Sequence, residues 1–137
     1  MGDLEQQIDH LVVGTNGIFH LETKNYTGDI SIDRHGNWIQ TKRETVQTIE
    51  NPEGQVKRHE ELISRILKEK YKITSILVFA NPKCTLRNMD RTFLRVMKLE
   101  KVLPFIKGHE TNCYLGTNEI TEVCQLIVDL SQYFGHQ

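Results

Sequence analysis

The sequence predicts an α/β domain whose central mixed sheet opens with an antiparallel meander and is flanked by helices. Three observations predict it. Two strand-length runs, Gln7 to Val13 and Ile18 to Lys24, flank the turn Gly14-Thr15-Asn16-Gly17. Apolar residues recur at helical spacing from Val56 to Leu67, and Ile76 to Phe79 is a short unbroken apolar run of the buried-strand kind. With 137 residues, 38% of them hydrophobic and 26% charged, the chain has the size and composition of one domain, residues 1–137.

Each element follows from local chemistry. Asn16-Gly17 is a strong hairpin signal, and as the two central turn residues they would set Leu11 opposite Glu22 and Asp9 opposite Lys24. Asp29 to Asp33 reads as a third strand that turns through His35-Gly36-Asn37 into a fourth, Trp38 to Thr41. Asn51-Pro52 supplies an N-cap and a first helical position for a helix of about five turns, with Val56, His59, Leu62, Ile63, Ile66 and Leu67 on one stripe. The buried strand ends at the Asn81-Pro82 turn. Phe93 to Leu99 reads as a strand followed by a short helix, because Pro104 opposes one long helix through Lys107. Thr117 or Asn118 starts a last helix whose stripe is Ile120, Val123, Cys124, Ile127, Leu130 and Phe134.

Composition excludes several classes. No run approaches the roughly 18 apolar residues of a membrane span, and Met1 to Gln7 lacks the regions of a signal peptide, so a cytoplasmic location without membrane contact is expected. Cys84, Cys113 and Cys124 are odd in number and never in a CxxC pair, which opposes a disulfide framework or a structural zinc site; they read as buried or neutral thiols. The formal net charge of −1 hides a gradient: Met1 to Asp33 holds six acids and one base, and Lys83 to Lys107 seven bases and two acids.

The candidate chemistry lies in the first hairpin. Side chains alternate with period two, so Asp9, Glu22 and Lys24 share one face of strands otherwise built from Ile8, Leu11, Val12, Val13, Ile18, Phe19 and Leu21. Burying such charges costs several kcal/mol each unless they are paired or bind a metal. Two carboxylates on a cross-strand diagonal of about 7–8 Å can converge on one magnesium, and a lysine beside them can offset charge growing on a phosphate. The same spacing also suits an ordinary ion pair between Asp9 and Lys24. His20 shares this face, whereas His10 alternates to the other. Gln55 and His59 lie one helical turn apart and can face the sheet together. Lys83, Arg87, Arg91, Arg95 and Lys98 can track a phosphate backbone or simply form a solvated face, and Trp38 reads as a packing anchor.

The segments Gln7 to Gly14, Asn16 to Phe19 and Glu22 to Tyr26, with Gly28 and the later Asn51-Pro52, Gln55 and His59, resemble the signature of NERD (nuclease-related) domains of the PD-(D/E)XK superfamily. The resemblance implies a restriction-endonuclease-like core and a magnesium-dependent (or manganese-dependent) endonuclease cleaving DNA, with a place in DNA processing or repair. It implies Asp9 and Glu22 as metal ligands, Lys24 beside the attacking water and Gln55 in the polar network. Arg87, Arg91 and Arg95 are the expected DNA contacts. The family's first helix, which normally precedes the Asp9 strand, has no counterpart in the eight residues before Asp9, so the chain reads as a domain lacking that helix and leaves open that it is a fragment of a longer protein. That departure, with the balanced charge, keeps a second reading in play: a catalytically inactive nucleic-acid-binding or assembly module that retains the nuclease fold.

Overall fold

A computed structural model describes residues 10–135 in its backbone, with side chains as far as Asp129. The expected α/β class is found, as two four-stranded mixed sheets and three helices among the described residues. The first sheet has the order β1 (His10–Gly14), β2 (Gly17–Lys24), β6 (Ile73–Phe79), β8 (Arg95–Lys98); β1 is antiparallel to β2, and β2, β6 and β8 run parallel. The second has the order β5 (Thr45–Ile49), β4 (Trp38–Lys42), β3 (Gly28–Ile32), β7 (Cys84–Arg87). The helices are α1 (Glu53–Ile66), α2 (Leu99–Gly108) and α3 (Thr117–Gly135). None of the described helices is long and apolar enough to cross a membrane.

Helices cover both faces of the first sheet, which is why β2 and β6 are apolar almost without alternation. On one side Phe19, Ile76 and Val78 close against Val102 of α2; on the other, Ile18 packs with Ile63 and Leu67 at the end of α1 and Val123 of α3. A third cluster joins the two sheets, where Ile30, Ile32 and Trp38 meet Val56, Leu77, Phe79 and Cys84. Trp38 is the packing anchor its sequence context indicates, 1% exposed and stacked on Phe79 at 6.5 Å between ring centres.

The first hairpin forms, but its register differs from the expected one by two residues. Gly14 pairs with Gly17 and Leu11 with His20, so Thr15 and Asn16 occupy the tip and Glu22 is not the partner of Leu11. Tertiary contacts explain the shift. The Thr15 carbonyl accepts from the Leu115 amide at 2.8 Å, and the Asn16 side-chain amide donates to the carbonyls of Ile106 and His109 at 2.6 and 3.2 Å. Gly17, at φ +139°, takes the conformation that other residues avoid. A slip of two preserves side-chain parity, so the sharing of one face by His20, Glu22 and Lys24 is unaffected. Asp9 and its expected pairing with Lys24 lie outside the described residues.

The second turn is held by Asp33, whose carboxylate accepts from the backbone amides of His35 and Asn37 and from the Asn37 side chain. Hydrogen bonds, the one from the Asn37 backbone amide foremost, together outweigh the opposing effect of burial and hold the Asp33 carboxyl below the usual aspartate range. Gly28, at φ +83°, permits a close approach of β3 to β4: a Cβ there would meet the Thr41 carbonyl oxygen at 2.6 Å.

Helix α1 is 14 residues long, nearer four turns than five, and the Asn51 side chain caps it from one position earlier by accepting from the Glu53 amide at 2.9 Å. β8 and α2 follow the expected strand-then-helix order, with Pro104 accommodated inside α2. The anticipated meander is divided between the sheets: β1 and β2 pair in the first, β3, β4 and the added β5 are antiparallel in the second, and β7 joins β3 in parallel. The cysteines divide: Cys84 is buried, whereas Cys113 and Cys124 are exposed, so Cys124 does not belong to the packed stripe of α3, which Val123, Leu126 and Ile127 carry.

Candidate functional site

A helix advances about 6 Å in four residues and a strand about 6.6 Å in two, so a helix laid along a strand meets alternate strand residues with every fourth residue of its own. α1 and β2 fit that rule. Gln55 meets Lys24 and His59 meets Glu22, and the same steps carried on bring Leu67 to Ile18, its companion in the buried cluster. The polar stripe of β2 is thereby matched to the polar start of α1, and the apolar ends of both close the core beneath it.

At the centre stands Glu22, 2% exposed, whose Oε1 is approached by His20 Nε2 at 3.0 Å and by His59 Nδ1. Both histidines are buried, at 0% and 2% exposure. Burial pushes the Glu22 carboxyl up, but hydrogen bonding and charge from His20 and His59 prevail and hold it below the usual glutamate range. The network continues outward. His20 Nδ1 lies 3.0 Å from Ser75 Oγ on β6, and the Ser75 hydroxyl donates to Glu60 Oε1 on α1 at 2.9 Å. Lys24, on the same face, donates from Nζ to Gln55 Oε1 at 2.8 Å.

The donor chemistry suits a cation. One ligand atom from each of His20, Glu22 and His59 can be chosen so that all lie within 4.8 Å of one another. A single carboxylate with waters and phosphate oxygens can hold magnesium, but two of these three donors are imidazole nitrogens.

The structure therefore brings Glu22, Lys24 and Gln55 together with His20 and His59, while Asp9 lies outside the described residues. His10 is exposed and pairs with Leu21, away from the Glu22 face. The three arginines sit on different elements. Arg87 of β7 lies 3.9 Å from the Asp29 carboxylate, Arg91 donates to the Ile32 carbonyl at 2.9 Å, and the Arg95 guanidinium of β8 stands 5.1 Å from the centre of the Phe105 ring. Lys98 donates inward, to the carbonyls of Asn81 and Cys84. Sequence reasoning missed Ser75 and Glu60; the available signal was a hydroxyl in an otherwise apolar buried strand, which needs a polar partner on whatever covers it.

Similarity to known proteins covers part of the chain. An uncharacterized protein of Bacillus anthracis is 32% identical over 85 residues, a match covering 61% of this chain and 40% of that relative, so the chain spans less than half of the relative's length. No solved structure matches the chain. The nuclease-related domain family, NERD, matches residues 2–80, a stretch that contains the hairpin, the whole polar stripe under α1 and the buried strand β6. The side chains gathered around Glu22 and Lys24 thus all lie within one family's span, and the chain belongs to the nuclease-related domain family.

Proposed function

We propose that the chain is a divalent-cation-dependent nuclease that hydrolyses DNA phosphodiester bonds, with Asp9 and Glu22 holding magnesium or manganese and Lys24 acting at the phosphate. The observation that carries this reading is the fixed Lys24 amine, hydrogen-bonded to Gln55 at 2.8 Å on the face that bears buried Glu22. Asp9 has the parity of Leu11 and Val13, both of which pack with the cluster on the α1 side. A cation bound there would supply Lewis-acid polarisation of the phosphate and ease deprotonation of water. Lys24 contributes a positive charge to offset the negative charge that grows on the phosphoryl oxygens. Gln55 positions that ammonium without neutralising it, since an amide oxygen accepts a hydrogen bond but carries no charge. Arg87, Arg91 and Arg95 would add phosphate contacts that hold DNA without reading its sequence.

A binding or assembly module that retains the fold is the second reading, favoured by the degree to which Glu22 is already engaged by two buried imidazoles. The test is incubation of the purified chain with plasmid and single-stranded DNA in magnesium or manganese. The nuclease reading expects cleavage that falls about 100-fold or more in Glu22→Gln and Lys24→Ala. Both variants should stay folded, Lys24→Ala losing only about 1 kcal/mol because its hydrogen bond is to a neutral, part-buried partner. DNA retention without cleavage in either ion would support the module instead, and a Lys24→Ala chain cleaving at the parent rate would remove Lys24 from the chemistry.

A further inference from the structure

We infer that His20 Nε2, His59 Nδ1 and a Glu22 carboxylate oxygen form a three-ligand site selective for an imidazole-favouring divalent cation of the zinc class over magnesium. The inference rests on the nuclease reading only in that both use Glu22. Three features of the cluster support it.

The first is geometry. Tetrahedral ligands at about 2.0–2.2 Å from one ion lie about 3.4 Å apart, and the three donor atoms already lie within 4.8 Å of one another, so an ion is admitted once His59 Nδ1 and Glu22 Oε1, now in hydrogen-bond contact, separate by about 1 Å. The second is hydrogen-bond polarity. Ser75 gives its hydroxyl proton to the Glu60 carboxylate, so its oxygen accepts from His20 Nδ1–H. His20 Nε2 is thereby turned toward Glu22 Oε1, 3.0 Å away, where it hydrogen-bonds to the carboxylate. His59 Nδ1 converges on the same oxygen. A cation shared by the three satisfies all of them in a place from which water is nearly excluded.

The third feature is the support behind the first ligand. The chain Glu60–Ser75–His20 fixes the imidazole's orientation through the ring nitrogen that does not face Glu22, the arrangement that metal-binding histidines receive from their surroundings. Two nitrogen donors and one oxygen favour zinc, whereas magnesium demands oxygen.

The full chain, stripped with a chelator, is titrated calorimetrically with zinc and separately with magnesium, with melting curves recorded alongside. One zinc per chain is expected, bound at least about 100-fold more tightly than magnesium, with a rise in melting temperature. His20→Gln and His59→Asn each keep a polar atom near the lost nitrogen and should weaken zinc binding by more than about 100-fold. Ser75→Ala should weaken it by about 10–100-fold, leaving magnesium binding unchanged throughout. Zinc bound no more tightly than magnesium by the parent chain overturns the inference, as do folded variants that bind zinc like the parent. Should the variants not fold, the ranking of the two ions on the parent chain decides alone. Magnesium-dependent DNA cleavage without zinc preference would sink this site and leave the nuclease reading intact; zinc binding with no cleavage in any ion would do the reverse.

Discussion

β2 presents Phe19 and Leu21 to the α2 side and Ile18, His20, Glu22 and Lys24 to the α1 side, so one strand is dry on one face and polar along most of the other. The α2 face asks chiefly for volume, which Phe19, Ile76, Val78 and Val102 fill. The α1 face must satisfy a buried carboxylate, two imidazoles, a hydroxyl and a part-buried ammonium, and among the described residues no buried side-chain polar atom lacks a partner. Neighbouring residues of one strand thus separate the requirements of folding from those of chemistry. A dry face stabilises in proportion to what it buries, whereas a buried polar face at best offsets the desolvation of its own groups.

The largest effect that would break this comparison comes from the dry side. Phe19→Ala should cost about 3–5 kcal/mol, read as a fall in the urea midpoint at unchanged slope. A cost under about 1 kcal/mol would mean that the α2 face is not where stability resides.

A smaller and more discriminating effect is expected from the polar side. Glu22→Leu alone should destabilise by about 1–3 kcal/mol, because it leaves buried imidazole nitrogens without their acceptor. Replacing His20, Glu22 and His59 together by leucine should restore or exceed the parent stability, as apolar substitution of a whole buried charged network often does, while abolishing cation binding. Denaturant unfolding of the single and triple variants separates the cases: a triple variant less stable than Glu22→Leu would make the polar face structural rather than functional.

The smallest effect belongs to a surface turn and sharpens the contrast between buried and exposed carboxylates. Hydrogen bonds from Asn37 lead the causes that hold the Asp33 carboxyl below its ordinary value. A depressed folded-state value means stability that is present above the unfolded value and lost as pH falls through the folded one, so the β3–β4 turn should loosen only below about pH 4. Amide exchange at His35 and Asn37, whose N–H groups donate to Asp33, would follow it. Loosening already at neutral pH would contradict the assignment.

Legibility differed between elements for identifiable reasons. α1 announces itself because its apolar residues follow the helical period, and β2 and β6 because short apolar runs bounded by turns read as buried strands. β5 does not: Thr45 to Gln47 are exposed, as is Thr48, so burial imposes no alternation on Thr45–Ile49. β7 is four residues long and pairs in parallel with β3, far earlier in the chain, through a register that no local pattern encodes. The hairpin register was misjudged because Asn16-Gly17 is a strong local signal, yet Asn16 makes its hydrogen bonds at the end of α2 and Thr15 accepts from Leu115. Of the candidate site, the common face of Glu22 and Lys24 was readable, as was the pairing of Gln55 and His59 on one side of a helix. The central place of His20 was not, since one histidine in an apolar strand fits a core as well as a ligand set.

The sequence by itself determined which side chains point the same way, because period two in a strand and near four in a helix are properties of the backbone that no packing partner needs to supply. It thereby placed His20, Glu22 and Lys24 in one row and Gln55 and His59 in another. Only the tertiary structure decided that the two rows face each other, that Ser75 and Glu60 complete them, and that the basic residues of the second half scatter over separate elements. Those outcomes depend on the closure of long loops and on which surfaces exclude water together, and such free energies belong to pairs of distant segments rather than to any window of the chain.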